Sequence, residues 1–220
     1  AACALPVLLG FVVPAATLAG YAVRHFDDAA TGAVLGHAAN SVGLSALAAT
    51  LAVLVAIFMA YGVRLHGGGL LKVLARIAAM GYAVPGSVLA VGVIIVLAGF
   101  DNALDRLLRA QFGVSVGLLL SGSIVAVTFG YLVRFLALSF GTVEASLAKV
   151  TPNMEGAARS LGLGAGKTLL RVHVPLMRAS VLTAAMLVFV DCMKELPMTV
   201  ILRPFDFQTL ATFVHQYASD

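Results

Sequence analysis

Charged residues are scarce in this chain, and tryptophan is absent. Asp, Glu, Lys and Arg make up 11% of the 220 residues, and 61% are hydrophobic. A typical soluble domain has about 25% charged residues, so the composition excludes an ordinary soluble protein and indicates an integral membrane protein. The formal net charge of +4 does not indicate a nucleic-acid partner. The basic residues lie in loops between apolar runs, where membrane topology explains them first.

Candidates for catalysis or metal binding are also few. Cys3 and Cys192 lie far apart, each within an apolar run, which does not favour a disulfide or a metal pair. His25, Asp27 and Asp28 could suggest an iron site, but no further ligand converges in sequence and a solvated loop is favoured. No Ser-His or paired-carboxylate set supports an intramembrane enzyme. We expect no catalytic residue, no metal site and no cofactor bound by this chain.

Long uncharged segments predict an all-α integral membrane protein with about five transmembrane helices plus amphipathic connectors. The first span is expected at Cys3–Val23, and a loop at Ala29–Gly36 precedes the second. Recurrent Ala, Gly and Ser in the second span indicate close helix packing. Both ends of the sequence are apolar or amphipathic, so a fragment of a larger membrane protein is expected. The remaining predicted spans are Asn40–Val63, Tyr82–Phe100 (interrupted by Pro85-Gly86), Gly113–Val133 and a fifth that begins at Ala179.

Amphipathic or mixed-charge stretches separate these spans. We expect a short surface helix within Arg64–Arg76, a connector at Asp101–Arg109, and an interfacial or cavity-lining helix after Pro204. With five spans, eight basic residues fall on one side of the membrane and four on the other. The positive-inside rule places the eight in the cytoplasm. They are Arg64, Lys72, Arg76, Lys149, Arg159, Lys167, Arg171 and Arg178.

The longest polar-rich stretch is NMEGAARSLGLGAGKTLLRVHVPLMR, residues 153–178. Thr151 is a good N-cap for a first short helix and Pro152 suits its first position. Gly162 is expected to end that helix. A second helix should begin at about Lys167 and end near Pro175. The stretch therefore predicts a helix, a glycine turn and a second helix on the cytoplasmic side.

Within the first of these helices, Glu155 and Arg159 have the spacing of an i,i+4 ion pair with the acid first. Four small or apolar residues share one predicted face of low relief, to which another protein could approach closely. The alternative is a solvated loop without a partner, which describes most basic cytoplasmic loops. We favour docking. The face consists of Met154, Ala157, Ala158 and Leu161.

The same stretch contains a sequence similar to a phosphate-binding P-loop, ending in Gly166-Lys167-Thr168. That motif needs four residues between its first Gly and the Gly-Lys pair, which would put the first Gly at position 161. The residue there is Leu161, and Gly162 is one position too late. No β-strand is predicted before it. ATP binding by this chain is therefore not expected.

The stretch resembles the EAA loop of ABC importer permeases, whose pattern is EAA, three residues, Gly, nine residues, then Ile-x-Leu-Pro. Gly156-Ala157-Ala158 takes the EAA place, Gly162 follows after three residues, and Val172-His173-Val174-Pro175 follows after nine more. The first acid of the pattern is replaced by Gly156, with Glu155 one position earlier. Lys194–Ala211 (KELPMTVILRPFDFQTLA) is in turn similar to ferric-ion permeases of the binding-protein-dependent class.

The resemblance implies a bundle like that of ABC type I importer permeases. It implies a single permease domain over 1–220, similar to a C-terminal half without its last helix, with a cytoplasmic coupling loop at about 141–178. The implied partners are a cytoplasmic ABC ATPase dimer that binds ATP-Mg, a periplasmic substrate-binding protein, a second permease half (fused or separate) and lipid of the bacterial inner membrane. The implied ATPase-coupling residues are Glu155, Gly156, Ala157, Ala158, Arg159, Gly162 and Pro175.

A charged cluster interrupts the fifth hydrophobic segment, where ionisable residues are costly and usually face a bundle interior or aqueous cavity. Asp191 and Glu195 are four residues apart on one helical face, Asp191 and Lys194 can pair, and Pro197 can break the helix and free a carbonyl group. With Thr199, these residues are candidates for a charged constriction on the substrate path. The alternative is a self-neutralising cluster at a helix end.

Ferric iron is the cargo that the subfamily resemblance implies. Related permeases move sulfate, molybdate, thiamine or polyamines through the same scaffold, and a fold does not determine cargo. A second class is an ion-coupled secondary transporter that uses Asp191 and Glu195 as carriers and needs no ATPase.

Overall fold

The computed structural model describes residues 4–24 and 32–219, and every regular element in these ranges is helical. This confirms the predicted all-α class. A single 3₁₀ turn at Gly81–Ala83 precedes the fourth helix. The helices are α1 (Ala4–Arg24), α2 (Gly32–His66), α3 (Gly69–Ala78), α4 (Gly86–Phe112), α5 (Ile124–Leu147), α6 (Pro152–Ser160), α7 (Ala165–Leu176), α8 (Arg178–Met193), α9 (Pro197–Leu202) and α10 (Leu210–Ser219).

The chain divides into two compact units, Ala1–Ala39 and Asn40–Asp220. In the first unit, α1 is exposed along its whole length and includes a π-helical stretch at Leu8–Val12. The packing described below belongs to the second unit. The polar group formed by His25, Asp27 and Asp28 lies outside the described residues.

Among the described residues, four helices are long and apolar enough to cross a membrane: α1, α2, α4 and α5. Helices α7 and α8 pass the same test only as a pair, and they are bent by 78° to each other. The structure therefore has four or five candidate spans, in agreement with the expected number. The basic residues Lys167 and Arg171 belong to α7, so we treat α8 as the arm of this pair that enters the membrane.

The predicted boundaries of the fourth span are wrong. Helix α4 continues to Phe112 and includes the expected connector Asp101–Arg109, whereas Gly113–Ser123 forms a loop without helix. Gly113 ends α4 in the left-handed conformation (φ 67°). The span that follows is α5, not Gly113–Val133, so Arg134 lies inside a transmembrane helix instead of at its end.

Two carboxylates of α4 explain why this apolar loop is stable without helical hydrogen bonds. Asp101 is fully buried and accepts hydrogen bonds from the amides of Leu120 and Ser121 at 2.8–3.1 Å. Asp105 accepts from the amides of Val116 and Gly117 at 2.9 and 3.2 Å. These bonds satisfy backbone donors that would otherwise need a helix or water.

Two other predicted boundaries also differ from the structure. Helix α2 begins at Gly32, inside the expected loop Ala29–Gly36. Pro85 does not interrupt the third span but precedes the first residue of α4. A proline is tolerated there because the first amides of a helix have no partner within the helix.

The core of the second unit is built on small side chains, as the recurrence of Ala and Ser predicts. Every fourth residue of α2 from Ala48 to Ala60 is a buried alanine, with 0–3% exposure. This stripe allows the backbone of α5 to approach, and the hydroxyl of Ser139 donates a hydrogen bond to the carbonyl of Ala52 at 3.1 Å. The alanines of the stripe are Ala48, Ala52, Ala56 and Ala60.

Candidate functional site

The first candidate site is the segment Pro152–Leu176, which we call the coupling hairpin: α6, a glycine turn and α7. Pro152 occupies the first turn of α6, as predicted, although the side chain of Thr151 makes no capping hydrogen bond. Gly162 has a φ of 78°, and the amide of Leu163 donates to the carbonyl of Ala158 at 3.0 Å. The predicted glycine stop is therefore confirmed, because this is the hydrogen bond of a Schellman ending.

Helix α7 begins at Ala165, two residues before its predicted start at Lys167. It ends at Leu176, one residue after Pro175. The helix changes type along its length. It begins with one α-helical turn, continues as a π-helix over Leu169–His173, and ends with a short α-helical turn that contains Pro175. Pro175 has no amide hydrogen to donate to the turn before it, and α7 ends one residue later.

The two faces of α6 differ from the predicted grouping. Ala158 is 4% exposed and packs against the bundle, so the expected exposed face with both alanines is wrong. Glu155 lies on the same inner side, because residues three apart share a helical face. Gly156 and Ala157 are exposed, as are Arg159, Gly162 and Pro175. Met154 and Leu161 add exposed apolar surface, at 45% and 81%.

Arg64, the third residue from the end of α2, fixes the inner side of the hairpin. Its Nε lies 2.6 Å from Oε1 of Glu155. Its Nη2 donates to the carbonyl of Val150 at 2.6 Å, and its Nη1 donates to the carbonyl of Leu147. The two side chains of the ion pair are 19% and 15% exposed. One guanidinium group therefore joins α2, the last turn of α5 and α6, a use that suits its planar set of donors.

His173 of α7 completes this contact. It is fully buried, its Nε2 lies 3.2 Å from Oε1 of Glu155, and its ring packs at 5.3 Å from that of Tyr61 on α2. The Tyr61 hydroxyl donates to the carbonyl of Ala165 at 2.9 Å. Burial lowers the pKa of His173, while the nearby Glu155 carboxylate raises it to a smaller degree. The positive charge beside the Glu155 carboxylate comes from Arg64.

The predicted i,i+4 pair of Glu155 and Arg159 is present but peripheral. Oε2 of Glu155 and Nη2 of Arg159 are 4.0 Å apart, and the Arg159 side chain is 73% exposed. An ion pair at this distance and exposure contributes about 0–1 kcal/mol. The structure places Arg159 on the outer surface of the hairpin and gives Glu155 a closer partner, Arg64.

The second candidate site is the charged segment after α8. The predicted pair of Asp191 and Lys194 is confirmed, with Oδ1 and Nζ 2.7 Å apart. The Tyr82 hydroxyl also lies 3.5 Å from Oδ2 of Asp191. Lys194 is 70% exposed, as expected for a cluster that neutralises itself at a helix end. Because α8 ends at Met193, Asp191 and the residues after Lys194 do not share one continuous helical face.

Glu195 behaves differently from its two neighbours. It is buried, and its Oε2 lies 3.6 Å from Nε of Arg134 in α5. We call these two residues the core ion pair. Pro197 follows in the first turn of α9, so the helix is broken as predicted. At this break the carbonyl of Glu195 accepts a hydrogen bond from the hydroxyl of Thr199, which also contacts the hydroxyl of Tyr131.

Several residues of these sites were not singled out from the sequence. Arg64 was counted only for topology, His173 appeared only within the EAA-like pattern, and Arg134 directly follows the predicted span Gly113–Val133. The signal for Arg134 was Ser121-Gly122-Ser123, a turn sequence inside the predicted fourth span. Ser123 is in fact the N-cap of α5, and its hydroxyl accepts from the amide of Ala126. Arg64 and His173 have no comparable local signal.

In the ranges 4–24 and 32–219, no three His, Cys, Asp or Glu residues converge as they would around a metal ion.

Two groups of basic residues were predicted to share one side of the membrane. Arg64 contacts the hairpin directly, so both lie at the same end of the second unit. Arg203 lines a cavity with Leu118 and Ser121, near the loop that follows α4.

Comparison with known proteins adds one relationship. No protein-family model matches the chain. Over 181 residues it is 25% identical to the Fe(3+)-transport system permease protein FbpB 2 of Haemophilus influenzae. The aligned part covers 82% of this chain and 33% of that protein, so the chain spans about a third of the length of its relative. With its four or five apolar helices, the chain is a multi-pass membrane protein of α-helical type that is similar to part of an Fe(3+)-transport permease.

Proposed function

We propose that this chain is the transmembrane subunit of an ATP-binding-cassette importer of the bacterial inner membrane. It carries ferric iron from the periplasm to the cytoplasm, with energy from a separate ATPase dimer that binds ATP-Mg. A periplasmic binding protein delivers the cargo, and a second permease half, fused or separate, completes the path. Similarity to an Fe(3+)-transport permease and the spacing of the EAA-like stretch support this proposal.

The main support for the proposal is that the coupling hairpin has an exposed outer side and an inner side bound to the helix bundle. Its outer side exposes Gly156, Ala157 and Leu161, which offer low relief and apolar contact to a docking protein. Its inner side is held by one arginine to two helices of the bundle. A solvated loop without a partner would need neither an exposed apolar side nor a fixed inner side.

The contacts suggest how force passes from the ATPase to the spans. When the two ATPase subunits close on ATP, they displace the hairpin. Arg64 transmits the displacement to α2 through its own backbone and to α5 through the carbonyls of Leu147 and Val150. Because α2 and α5 pack on each other along the alanine stripe, they shift together and change the side from which the path is open.

Residues of the hairpin divide into two roles under this proposal. Gly156, Ala157, Arg159, Gly162 and Pro175 are exposed and form or shape the docking surface. Glu155 and Ala158 lie beneath that surface and position it.

The charged segment contributes to the translocation path in the same proposal. Asp191, Lys194, Glu195, Pro197 and Thr199 stand where α8 breaks, and a broken helix offers backbone and side-chain oxygens at membrane depth. Carboxylates, hydroxyls and carbonyls are hard ligands suited to a trivalent cation.

Co-purification of the ATPase and ATP-dependent uptake of radiolabelled ferric citrate in proteoliposomes test the proposal. Ala157→Glu and Gly162→Val should abolish both without affecting membrane insertion. The matched control is Ala110→Glu, the same change at an exposed alanine near the end of α4. Normal ATPase binding and uptake in both hairpin variants would contradict the docking role.

The same vesicles separate the alternatives. Uptake driven by an ion gradient without ATPase would support a secondary transporter that uses Asp191 and Glu195 as carriers. ATP-dependent uptake of sulfate, thiamine or a polyamine in place of iron would retain the importer and change its cargo. The ligand bound by the partner binding protein decides among these cargoes.

A further inference from the structure

Arg134 of the core ion pair lies near the middle of α5, a candidate membrane span. Helix α5 has 24 residues and Arg134 is the eleventh, about 15 Å from its start at 1.5 Å per residue. The side chains of Arg134 and Glu195 are 19% and 9% exposed. Charged groups inside membrane-spanning helices are rare and usually belong to an ion or substrate pathway.

The core ion pair lacks the close hydrogen bonds that a purely structural ion pair would have. Nε of Arg134 and Oε2 of Glu195 are 3.6 Å apart, beyond the usual hydrogen-bond distance. Nε of Arg134 and Oε1 of Glu195 are both buried, and neither has a hydrogen-bond partner among the described residues. A buried pair is stabilised well only when the remaining donors and acceptors are satisfied. Glu195 therefore retains a carboxylate oxygen that is available to another cation.

Three segments of the chain meet at this pair. Glu195 is presented by the break between α8 and α9, and Arg134 comes from α5. Nη1 of Arg134 also donates to the carbonyl of Val84, just before α4 begins, at 2.9 Å. Gly86, the first residue of α4, faces the pair so closely that an added Cβ would lie 2.5 Å from Oε1 of Glu195 and 2.9 Å from Nη1 of Arg134. If the pair separates, α4, α5 and the α8–α9 break can move apart.

We propose that Arg134 and Glu195 form a charge gate for cationic cargo, and this inference rests on the importer function proposed above. Without cargo, Arg134 neutralises Glu195, holds the three segments together and opposes the passage of cations by its charge. During transport the cation takes the place of the guanidinium group at the carboxylate, and Arg134 moves aside. Arg134 is thus the residue that prevents leakage, and Glu195 is the residue that accepts cargo.

The test uses the complete transporter in proteoliposomes: the full-length permease, its ATPase and its binding protein, with ferric citrate as the probe. Arg134→Gln should raise ferric-ion leakage without ATP about tenfold or more, because removal of a buried positive charge lowers the barrier to a cation. Glu195→Gln should lower ATP-driven uptake about tenfold, while the stimulated ATPase rate stays within about twofold of the wild-type rate. Arg134→Lys keeps the charge and should stay closed to leakage.

Two further variants separate a gate from a structural ion pair. Arg109→Gln is the matched control, since the Nε of Arg109 also pairs with a carboxylate, that of Asp105 at 2.7 Å, but its side chain is 61% exposed. It should not alter leakage. The double variant Arg134→Gln with Glu195→Gln removes both charges. Restoration of wild-type uptake and tightness in this double variant would overturn the gate and leave only a structural role.

The remaining outcomes also decide the matter. If Arg134→Gln fails to assemble, Glu195→Gln decides by itself, and uptake at the wild-type rate would overturn the gate. If the wild-type transporter shows no ATP-driven uptake of iron or any other cation, the proposed function fails and the gate fails with it. If the wild type transports iron but Glu195→Gln and Arg134→Gln are indistinguishable from it, only the gate fails.

Discussion

The contact between Arg64 and Glu155 yields the sharpest prediction for the coupling hairpin. Replacing Arg64 with Met removes the ion pair at 2.6 Å and leaves the carbonyls of Leu147 and Val150 without their donor. Loss of one partner from a buried ion pair costs about 3–5 kcal/mol. Both side chains keep some exposure, 19% and 15%, so we expect the lower end of that range, about 3 kcal/mol.

Hydrogen exchange measures this loss locally, on the complete chain in lipid nanodiscs. A local destabilisation of about 3 kcal/mol should lower the protection of α6 amides by about 100-fold, because about 1.4 kcal/mol corresponds to a factor of ten. Protection of α4 amides should not change, since the hydrogen bonds that the described part of the chain gives Arg64 go to Glu155, Leu147 and Val150.

A double-mutant cycle isolates the pair from other effects. Arg64→Met combined with Glu155→Gln should show a coupling energy of about 2 kcal/mol, within the range for hydrogen bonds to charged groups. The matched cycle, Arg159→Met with Glu155→Gln, should show less than about 0.5 kcal/mol, because Arg159 is exposed and 4.0 Å from the carboxylate. Equal coupling energies in the two cycles would refute the view that Arg64 holds the hairpin.

Three further predictions concern stability, measured as the free energy of unfolding in mixed micelles. Gly162→Val should cost about 1–2 kcal/mol, because a φ of 78° is unfavourable for a residue with a Cβ. Gly81→Ala should cost about 3 kcal/mol, the upper range for overpacking, since the added Cβ would lie 2.0 Å from the carbonyl oxygen of Val133. The control is Gly92→Ala, whose added Cβ would have no described atom within 4 Å, so this change should be neutral or stabilising. Asp101→Ala should cost about 2 kcal/mol and loosen the loop after α4, because its buried carboxylate accepts from two loop amides. Unchanged stability of Gly162→Val, Gly81→Ala or Asp101→Ala would contradict the structural reason given for that variant.

The sequence was sufficient where one local pattern decided the outcome. The glycine stop at Gly162 follows from the conformational freedom of glycine, and the pair of Asp191 and Lys194 follows from spacing alone. The class of the fold follows from long uncharged runs, because only helices and closed barrels satisfy backbone groups in lipid. In each case the relevant interactions lie within a few residues of each other.

The sequence was misleading where hydropathy was the only guide. The loop 113–123 contains five apolar residues and no charge, and nothing local shows that Asp101 and Asp105 will bind its amides. Those contacts join residues 11 to 20 positions apart. The error also assigned Arg134 to the end of a helix, which concealed the core ion pair.

The sequence by itself determined that this protein lies in a membrane, that it is helical, and that a helix in its basic stretch ends at Gly162. These properties depend on composition and short-range spacing, which are independent of how the helices pack. Only the tertiary structure decided that Glu155 pairs with Arg64 and not primarily with Arg159, that Ala158 faces inward, and that Glu195 meets Arg134. Such partners are distant in sequence, and packing alone brings their charges together.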